Sequence, residues 1–151
     1  MMKEKLRTFY LVLLFSAFFL HVQQCTSIKR NSEVDNSKSS NRIAIAAIGD
    51  SVTSEISKVA GRAPYYLVFD GKGVFLKSLI NPSQNRGRDA SSGVVNLLIK
   101  ESVKTVIAGK FGDKMKKLLK MNKIEYHEHA GIAKEIVESI IKNKRSKNEK
   151  K

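Results

Sequence analysis

The sequence has little cysteine and histidine, and few acidic residues for its number of basic ones. Its 151 residues include one cysteine, three histidines, and 28 Lys and Arg against 14 Asp and Glu. A single cysteine excludes an intramolecular disulfide. The net charge is +14, and the basic tails, such as the Lys-rich stretch at 142–147, predict attraction to polyanions, including anionic lipid surfaces. Because the sequence lacks a zinc knuckle, an aromatic RNA-recognition pattern and helix-turn-helix spacing, it does not predict specific nucleic-acid binding.

The chain is long enough for one domain with flanking segments. Hydrophobic residues make up 42% of it, which excludes wholesale disorder. We predict a signal peptide or membrane anchor at 1–27, a flexible linker at 28–41, a folded domain at 42–141 and a basic disordered tail at 142–151. The linker is rich in Ser, Asn and Lys, and the tail adds a further concentration of positive charge.

The first residues predict export from the cytoplasm. A basic start precedes an apolar run over 9–22, which has the length of a signal-peptide core rather than the roughly 20 residues of a spanning helix. Small side chains at Cys25 and Ser27 suit cleavage before Ile28. Lipidation of Cys25 and an uncleaved anchor remain alternatives. Each of the three outcomes places the domain outside the cytoplasm, in a periplasmic or other extracytoplasmic location.

Hydrophobic patterning predicts an α/β fold. Strands are expected at 42–48, 65–69, 74–80, 105–108 and 124–127, with a hairpin turn at 70–73. Helices are expected at 93–101, after Asp113 as a cap, and from Gly131, where Ile132, Ile136 and Ile140 are spaced by four. The order β-β-β-α-β-α-β-α predicts a mixed five-stranded sheet with an antiparallel start followed by parallel strands.

Several segments resemble the dinitrogenase iron-molybdenum cofactor biosynthesis family, whose members have a NifX-like domain. The matching pieces are Ile-Ala-Ile-Ala at 43–46, Gly61-Arg62-Ala63-Pro64, Asn-Pro at 81–82, Ala-Gly-Lys-Phe-Gly at 108–112 and Ala-Gly at 130–131. The resemblance implies a ribonuclease-H-like fold and non-catalytic binding or carriage of iron-sulfur or iron-molybdenum clusters or their precursors. Family members often have a histidine two residues before Gly61, where this chain has Val59.

Ligands of sheets with parallel strands gather beyond the carboxyl ends of the strands. The stretches 49–51, 109–112 and 129–131 are therefore expected to converge, and the last two precede helix N-termini, which favour anions. The candidate cofactor-binding residues are Arg86, Arg88, Gly109, Lys110, Gly112 and Gly131, for a metallocluster or a small anion. A competing interpretation is that the glycines only make turns and the arginines are solvated.

His127 and His129 are the candidate metal ligands, because the third histidine lies in the predicted signal. Imidazole suits Fe, Zn, Cu or Ni, with Glu125 or Glu128 as helpers. An exported interaction or anion-binding module without metal is the alternative function.

Two enzyme classes are less favoured. Ser51 follows Gly-Asp as in GDSL hydrolases, but the Asp-x-x-His of that family is absent. Asp50 and Asp70 do not complete a two-metal nuclease site. Arg62 is expected to anchor backbone carbonyls, and no catalytic residue is predicted.

Overall fold

The computed structural model describes residues 41–87 and 89–148. It contains strands β1 (Arg42–Ala47), β2 (Tyr65–Phe69), β3 (Phe75–Ile80), β4 (Val103–Ala108) and β5 (Glu125–Glu128), and helices α1 (Ala90–Lys100), α2 (Asp113–Met121) and α3 (Ala133–Asn148). A short 3₁₀ helix, Ala60–Arg62, lies between β1 and β2. The predicted signal or anchor, residues 28–40 of the linker, Arg88 and residues 149–151 lie outside the described residues.

The strands form one mixed sheet in the order β3-β2-β1-β4-β5. The pairs β3-β2 and β2-β1 are antiparallel, whereas β1-β4 and β4-β5 are parallel. Each parallel connection contains a helix, as parallel pairing requires a long crossover. The predicted α/β class and mixed five-stranded sheet are confirmed.

The turn between β2 and β3 is built around Asp70. Its Oδ1 accepts the main-chain N–H groups of Lys72 and Val74, each at 2.8 Å. Gly73 has a φ of 89°, a conformation that favours glycine. A Cβ there would also lie 3.2 Å from side-chain atoms of both Val137 and Ile141, so glycine lets the turn approach α3 closely.

The central strand β1 is apolar on both faces because helices cover both. Ala44 and Ala46 belong to a core cluster with residues of α1 and α2. Ile43 and Ile45 belong to a second cluster with residues of α3. The alternation of strand side chains therefore divides the core into two layers. Both clusters lie within the compact unit Ser37–Lys151, so we expect this fragment to fold without the preceding residues.

Three local predictions about the helices were wrong. Gly112 is the N-cap of α2, and Asp113 is its first helical residue. Ile132 precedes α3, whose buried positions are Ala133, Val137 and Ile141, while the predicted Ile136 and Ile140 are partly buried and pack against the same core cluster. The helix also continues to Asn148, beyond the boundary predicted at 141, since Lys and Arg favour helix and cations stabilise a helix C-terminus. No helix among the described residues is long and apolar enough to cross a bilayer.

A buried tyrosine fixes the 3₁₀ helix to the sheet. The hydroxyl of Tyr66 donates to the carbonyl of Ala60 at 2.6 Å, and burial raises the pKa of this hydroxyl. The Tyr66 side chain is fully buried in the cluster that contains α1 and α2. This bond therefore ties the segment before β2 to the core.

Replacing Tyr66 by Phe is expected to lower the free energy of unfolding by about 1 kcal/mol, the usual contribution of one hydrogen bond. The loss is limited because the Ala60 carbonyl keeps the N–H of Ala63 as a donor at 3.2 Å. Urea denaturation followed by circular dichroism measures the change. Tyr65→Phe is the matched control, because Tyr65 is only partly buried. Equal losses in the two variants would contradict the assigned role of the Tyr66 hydroxyl.

Candidate functional site

The carboxyl ends of β1 and β4 are covered by a segment of the chain itself, which also bonds to the turn after β5. This covering segment (residues 48–60) connects β1 to the 3₁₀ helix and bonds across the strand ends through its main chain. Its bonds are Ser57 N–H to Ala46 O (2.8 Å), Gly109 N–H to Ser57 O (2.9 Å), Ile56 N–H to Gly131 O (2.8 Å) and Ala60 N–H to Lys110 O (3.0 Å). The predicted stretches 109–112 and 129–131 both bond to this segment, so main chain fills the edge between them.

The covering segment also occupies the N-terminus of α3. The first two helical amides, those of Ala133 and Lys134, donate to the carbonyls of Ser54 and Val52 at 3.0 Å each. Such amides are the groups that would otherwise bind an anion. The predicted anion site at this helix is therefore taken by protein oxygens.

A glutamate side chain lies at the start of α2. Glu128 Oε1 accepts the main-chain N–H of Phe111 at 3.2 Å and lies 3.0 Å from Lys116 Nζ. The hydrogen bond from Lys116, followed by that from Phe111, lowers the pKa of Glu128. The same ion pair raises the pKa of Lys116. An anion approaching the 109–112 turn therefore meets a carboxylate already held there.

The glycines of these turns have different surroundings. A Cβ at Gly109 would lie 2.7–3.1 Å from main-chain atoms of Lys58, so glycine permits the close approach of the covering segment. Gly131 has a φ of 125°, which favours glycine, and its carbonyl accepts a bond from that segment. Gly112 has open space around its Cβ position. Gly109 and Gly131 thus have packing roles, and their predicted contact with a cofactor stays a prediction.

The two candidate metal ligands lie together at the end of β5. His127 and His129 are exposed, and their ring centroids are 6.5 Å apart. His127 pairs with Ile107, whose side chain lies on the face of the sheet that α3 covers. Because side chains alternate along a strand, residues 127 and 129 both lie on this α3 side. Glu125 shares their face by alternation, whereas Glu128 has the opposite parity and bonds to Phe111 on the α2 side. Of the two predicted helpers, Glu125 therefore shares the face of the histidines, whereas Glu128 does not.

The predicted cationic residues lie on the other side of the sheet edge. The loop of Arg86 leads into α1, and the 109–112 turn leads into α2. Arg86 and Lys110 are exposed. The loops of these cations therefore lead into the helices of the α1 and α2 layer, whereas the imidazoles face the α3 layer, and Arg88 lies outside the described residues.

The Gly61-Arg62-Ala63-Pro64 motif is held by backbone bonds. Arg62 Nη1 donates to the Gln84 carbonyl at 3.2 Å, an anchoring contact of the predicted kind. Asn81, only 4% exposed, donates to the Ala63 carbonyl at 2.8 Å and accepts the Ser83 N–H at 2.9 Å. Its main-chain N–H donates to the Pro64 carbonyl at 2.8 Å. The motif therefore joins the 3₁₀ helix to the loop before α1.

The residues considered for enzymatic roles take part in turns. The Ser51 hydroxyl lies 2.9 Å from that of Thr53, and the Ser51 carbonyl accepts the N–H of Ser54 at 3.0 Å. Asp70 is engaged in the β2–β3 turn at the opposite end of the strands from Asp50. These two carboxylates therefore do not form a two-metal site.

The fold and the edge define an α/β domain with a covered strand edge and an exposed pair of imidazoles. The family model described as dinitrogenase iron-molybdenum cofactor matches residues 41–143, and the chain belongs to this family. No curated protein matches the sequence.

Two solved structures share the fold. One is the apo form of the orange protein of Desulfovibrio gigas, with a TM-score of 0.64 and 20% identity, covering 68% of this chain and 88% of that one. The other is a Thermotoga protein provisionally described as NifB and assigned to the DUF35 family, with a TM-score of 0.58 and 21% identity, covering 66% and 86%.

Sequence reasoning missed the role of Glu128 as the acceptor at the start of α2. Strand alternation contained the signal, because residues 126 and 128 must face the side opposite to residues 127 and 129. The tyrosine at 126 contacts Phe111 on the α2 side, with ring centroids 5.3 Å apart. Glu128, two residues after this tyrosine, therefore lies on the same side and reaches the start of α2.

Gly109→Ala is expected to destabilise the fold by about 1–3 kcal/mol, the usual cost of overpacking, because its Cβ would collide with the main chain of Lys58. Gly87→Ala is the matched control, since a Cβ at Gly87 has no neighbour within 4 Å. Urea denaturation of both variants measures the difference. A stability of Gly109→Ala equal to that of the control would contradict the described approach of the covering segment.

The Glu128–Lys116 pair predicts a pH effect. The pKa of Glu128 is lowered in the folded chain, so its stabilising contribution is present above the ordinary glutamate pKa and is lost as the pH falls through the lowered value. NMR titration should show Lys116→Gln returning the Glu128 pKa part of the way, since Phe111 still donates. The control Lys117→Gln should leave it lowered. No shift in Lys116→Gln would show that the ion pair is not the main cause.

Proposed function

We propose that this chain is a non-catalytic carrier that binds an iron-sulfur or iron-molybdenum type cluster, or a precursor of one, as cargo. Family membership over residues 41–143 supports this class of cargo. The observation that carries the proposal is the exposed pair His127 and His129 at the end of β5. A ribonuclease-H-like ancestry of the fold belongs to the same proposal.

The imidazole pair suits transient binding. Structural metal sites are usually closed by four protein ligands. Among residues 41–87 and 89–148, no group of three or more His, Cys, Asp or Glu side chains is placed to hold a metal ion. The pair therefore supplies two ligands and leaves the remaining positions to the cargo or to a receiving protein. An open set of this kind favours uptake and release over permanent retention.

The exposed edge gives the cargo access to the imidazoles. β5 is the last strand of the sheet, so its outer side has no neighbouring strand. Lys110 belongs to the turn at the same end of the sheet, and Arg86 precedes α1 there. Because these cations lie on the α1 and α2 side, we assign them to long-range attraction of an anionic cargo, with the imidazoles making the bonds.

Removing both imidazoles is expected to abolish metal retention. The fragment 37–151 and its His127→Ala/His129→Ala variant should be purified without oxygen and compared in iron and sulfide content and in absorption spectrum. Lys117→Ala/Lys120→Ala, which changes two exposed residues of α2, is the matched control and should retain the metal.

The test separates the ligands from the carrier role. Equal iron retention with and without the imidazoles would overturn the ligand assignment while keeping the carrier role. A fragment that is metal-free and takes up no iron when offered an iron-sulfur cluster would overturn the carrier role. The domain would then be assigned to the alternative, an interaction or anion-binding module without metal.

A further inference from the structure

We propose that the end of the domain opposite to the imidazole pair is a docking surface for an anionic lipid bilayer. This basic end is where β1, β4 and β5 begin and where the three helices end, because α1 and α2 run back along the sheet and the last turns of α3 lie beside the β2–β3 turn. The β2–β3 turn lies there as well. The inference does not depend on the proposed cargo.

Exposed cations from several elements meet at this end. They come from the β2–β3 turn, the ends of α1, α2 and α3, the start of β4 and the loop before β5. They are Lys72, Lys100, Lys104, Lys120, Lys123, Lys142, Lys144 and Arg145, all of them exposed. They are scattered along the sequence, and the topology of the sheet brings them to one surface.

The described carboxylates at this end are fewer than the cations, and Asp70 and Glu101 among them bind other groups of the protein. Asp70 accepts two main-chain N–H groups of its own turn. Glu101 forms ion pairs with Arg42 and with Lys77. Of the described acidic residues, Glu125 and Glu138 are the others near this end. The exposed surface there is therefore strongly positive.

The opposite end does not share this excess. Its described cations are Lys58, Arg62, Arg86, Lys110, Lys114, Lys116, Lys117 and Lys134, and its described carboxylates are Asp50, Glu55, Asp89, Asp113, Glu128 and Glu135. Several of these charges are paired, as in the Lys114–Asp89 bridge at 3.3 Å. The positive charge of the described domain is therefore concentrated at the basic end.

Large apolar side chains are exposed between the cations of the basic end. They are Val74, Phe75, Leu76, Ile99 and Met121, which are 41–78% exposed. Met121 follows Lys120, Ile99 precedes Lys100, and the other three follow the turn that carries Lys72. Apolar side chains next to Lys and Arg favour the bilayer interface, where the former enter the acyl boundary and the latter bind headgroups.

This composition favours a lipid over a nucleic acid. Single-stranded nucleic acids bind to aromatic stacking platforms beside cations. Four of the five exposed apolar residues at the basic end are aliphatic or methionine. The fifth, Phe75, packs edge-on against Phe69 with ring centroids 5.6 Å apart. Base stacking on this surface is therefore poorly supported.

A groove at the basic end has the charge that suits a lipid headgroup. It lies between the β2–β3 turn and the last turns of α3, with a volume of about 570 Å³. Lys72, Lys142 and Arg145 line it, together with Glu138. The three cations against one carboxylate match a phosphate-bearing headgroup. The predicted linker also joins the domain at this end, through Arg42.

Vesicle binding tests the proposal. The fragment 37–151 should sediment with vesicles of phosphatidylcholine and phosphatidylglycerol, and much less with phosphatidylcholine alone. Lys142→Glu/Arg145→Glu should weaken binding by about thirtyfold or more, since each cation near an anionic bilayer contributes roughly fivefold at the surface. Lys58→Glu/Lys134→Glu changes the net charge equally at the other end and should weaken it far less. Circular dichroism of each variant confirms that it is folded.

A neutral variant tests the apolar contribution. Val74→Ser/Met121→Ser keeps the net charge and should reduce vesicle binding while leaving the salt dependence unchanged. Equal weakening by the two charge-reversal variants would overturn the proposal, since net charge alone would then explain binding. Tighter binding to duplex or single-stranded DNA than to vesicles, at equal phosphate and salt, would also overturn it, as would equal binding to vesicles without phosphatidylglycerol.

Discussion

The contact between the main chain of Lys58 and Gly109 is the constraint on which the carboxyl edge of the sheet depends. A side chain at residue 109 would occupy the space that the covering segment fills. With glycine there, Ser57 bonds both to β1 and to the residue that follows β4. The segment thereby fills the crevice beyond the carboxyl ends of β1 and β4, the place where ligands of such sheets usually bind. Exposed side chains that could bind a ligand, such as His127 and His129, therefore lie at β5, a strand at the edge of the sheet.

The covering segment explains why the predicted anion site and the predicted metal ligands do not lie at the same place. Amides at the α3 N-terminus bind carbonyls of the covering segment, and the Phe111 amide before α2 binds the Glu128 carboxylate. These three amides therefore already have partners. The exposed imidazoles, which are ligands for transition metals, lie apart from them on the side of the sheet that α3 covers.

The sequence was informative where a residue acts through a local pattern. The apolar run at β1 and the Asp-Gly turn before β3 predict strands close to those observed, since burial on both faces and turn geometry are written in consecutive residues. No sequence pattern predicted the covering segment, because it bonds to main-chain atoms that are distant in sequence. The last turns of α3 were assigned to a disordered tail because their basic composition suits both states. For the site, the imidazole pair was found, whereas its separation from Arg86 and Lys110 required the topology.

The two ends of the domain differ in charge because the helical connections give the parallel strands one common direction. Parallel strands joined by helices gather all helix C-termini at one end, and cations there interact favourably with the helix dipoles. Lys100, Lys120 and Arg145 each satisfy this local preference in a different helix. Together these cations form a positive surface, although each of them is explained by the end of its own helix. If that surface lies on a bilayer, the imidazoles at the opposite end point away from it, towards the compartment from which a cargo or a receiving protein would arrive.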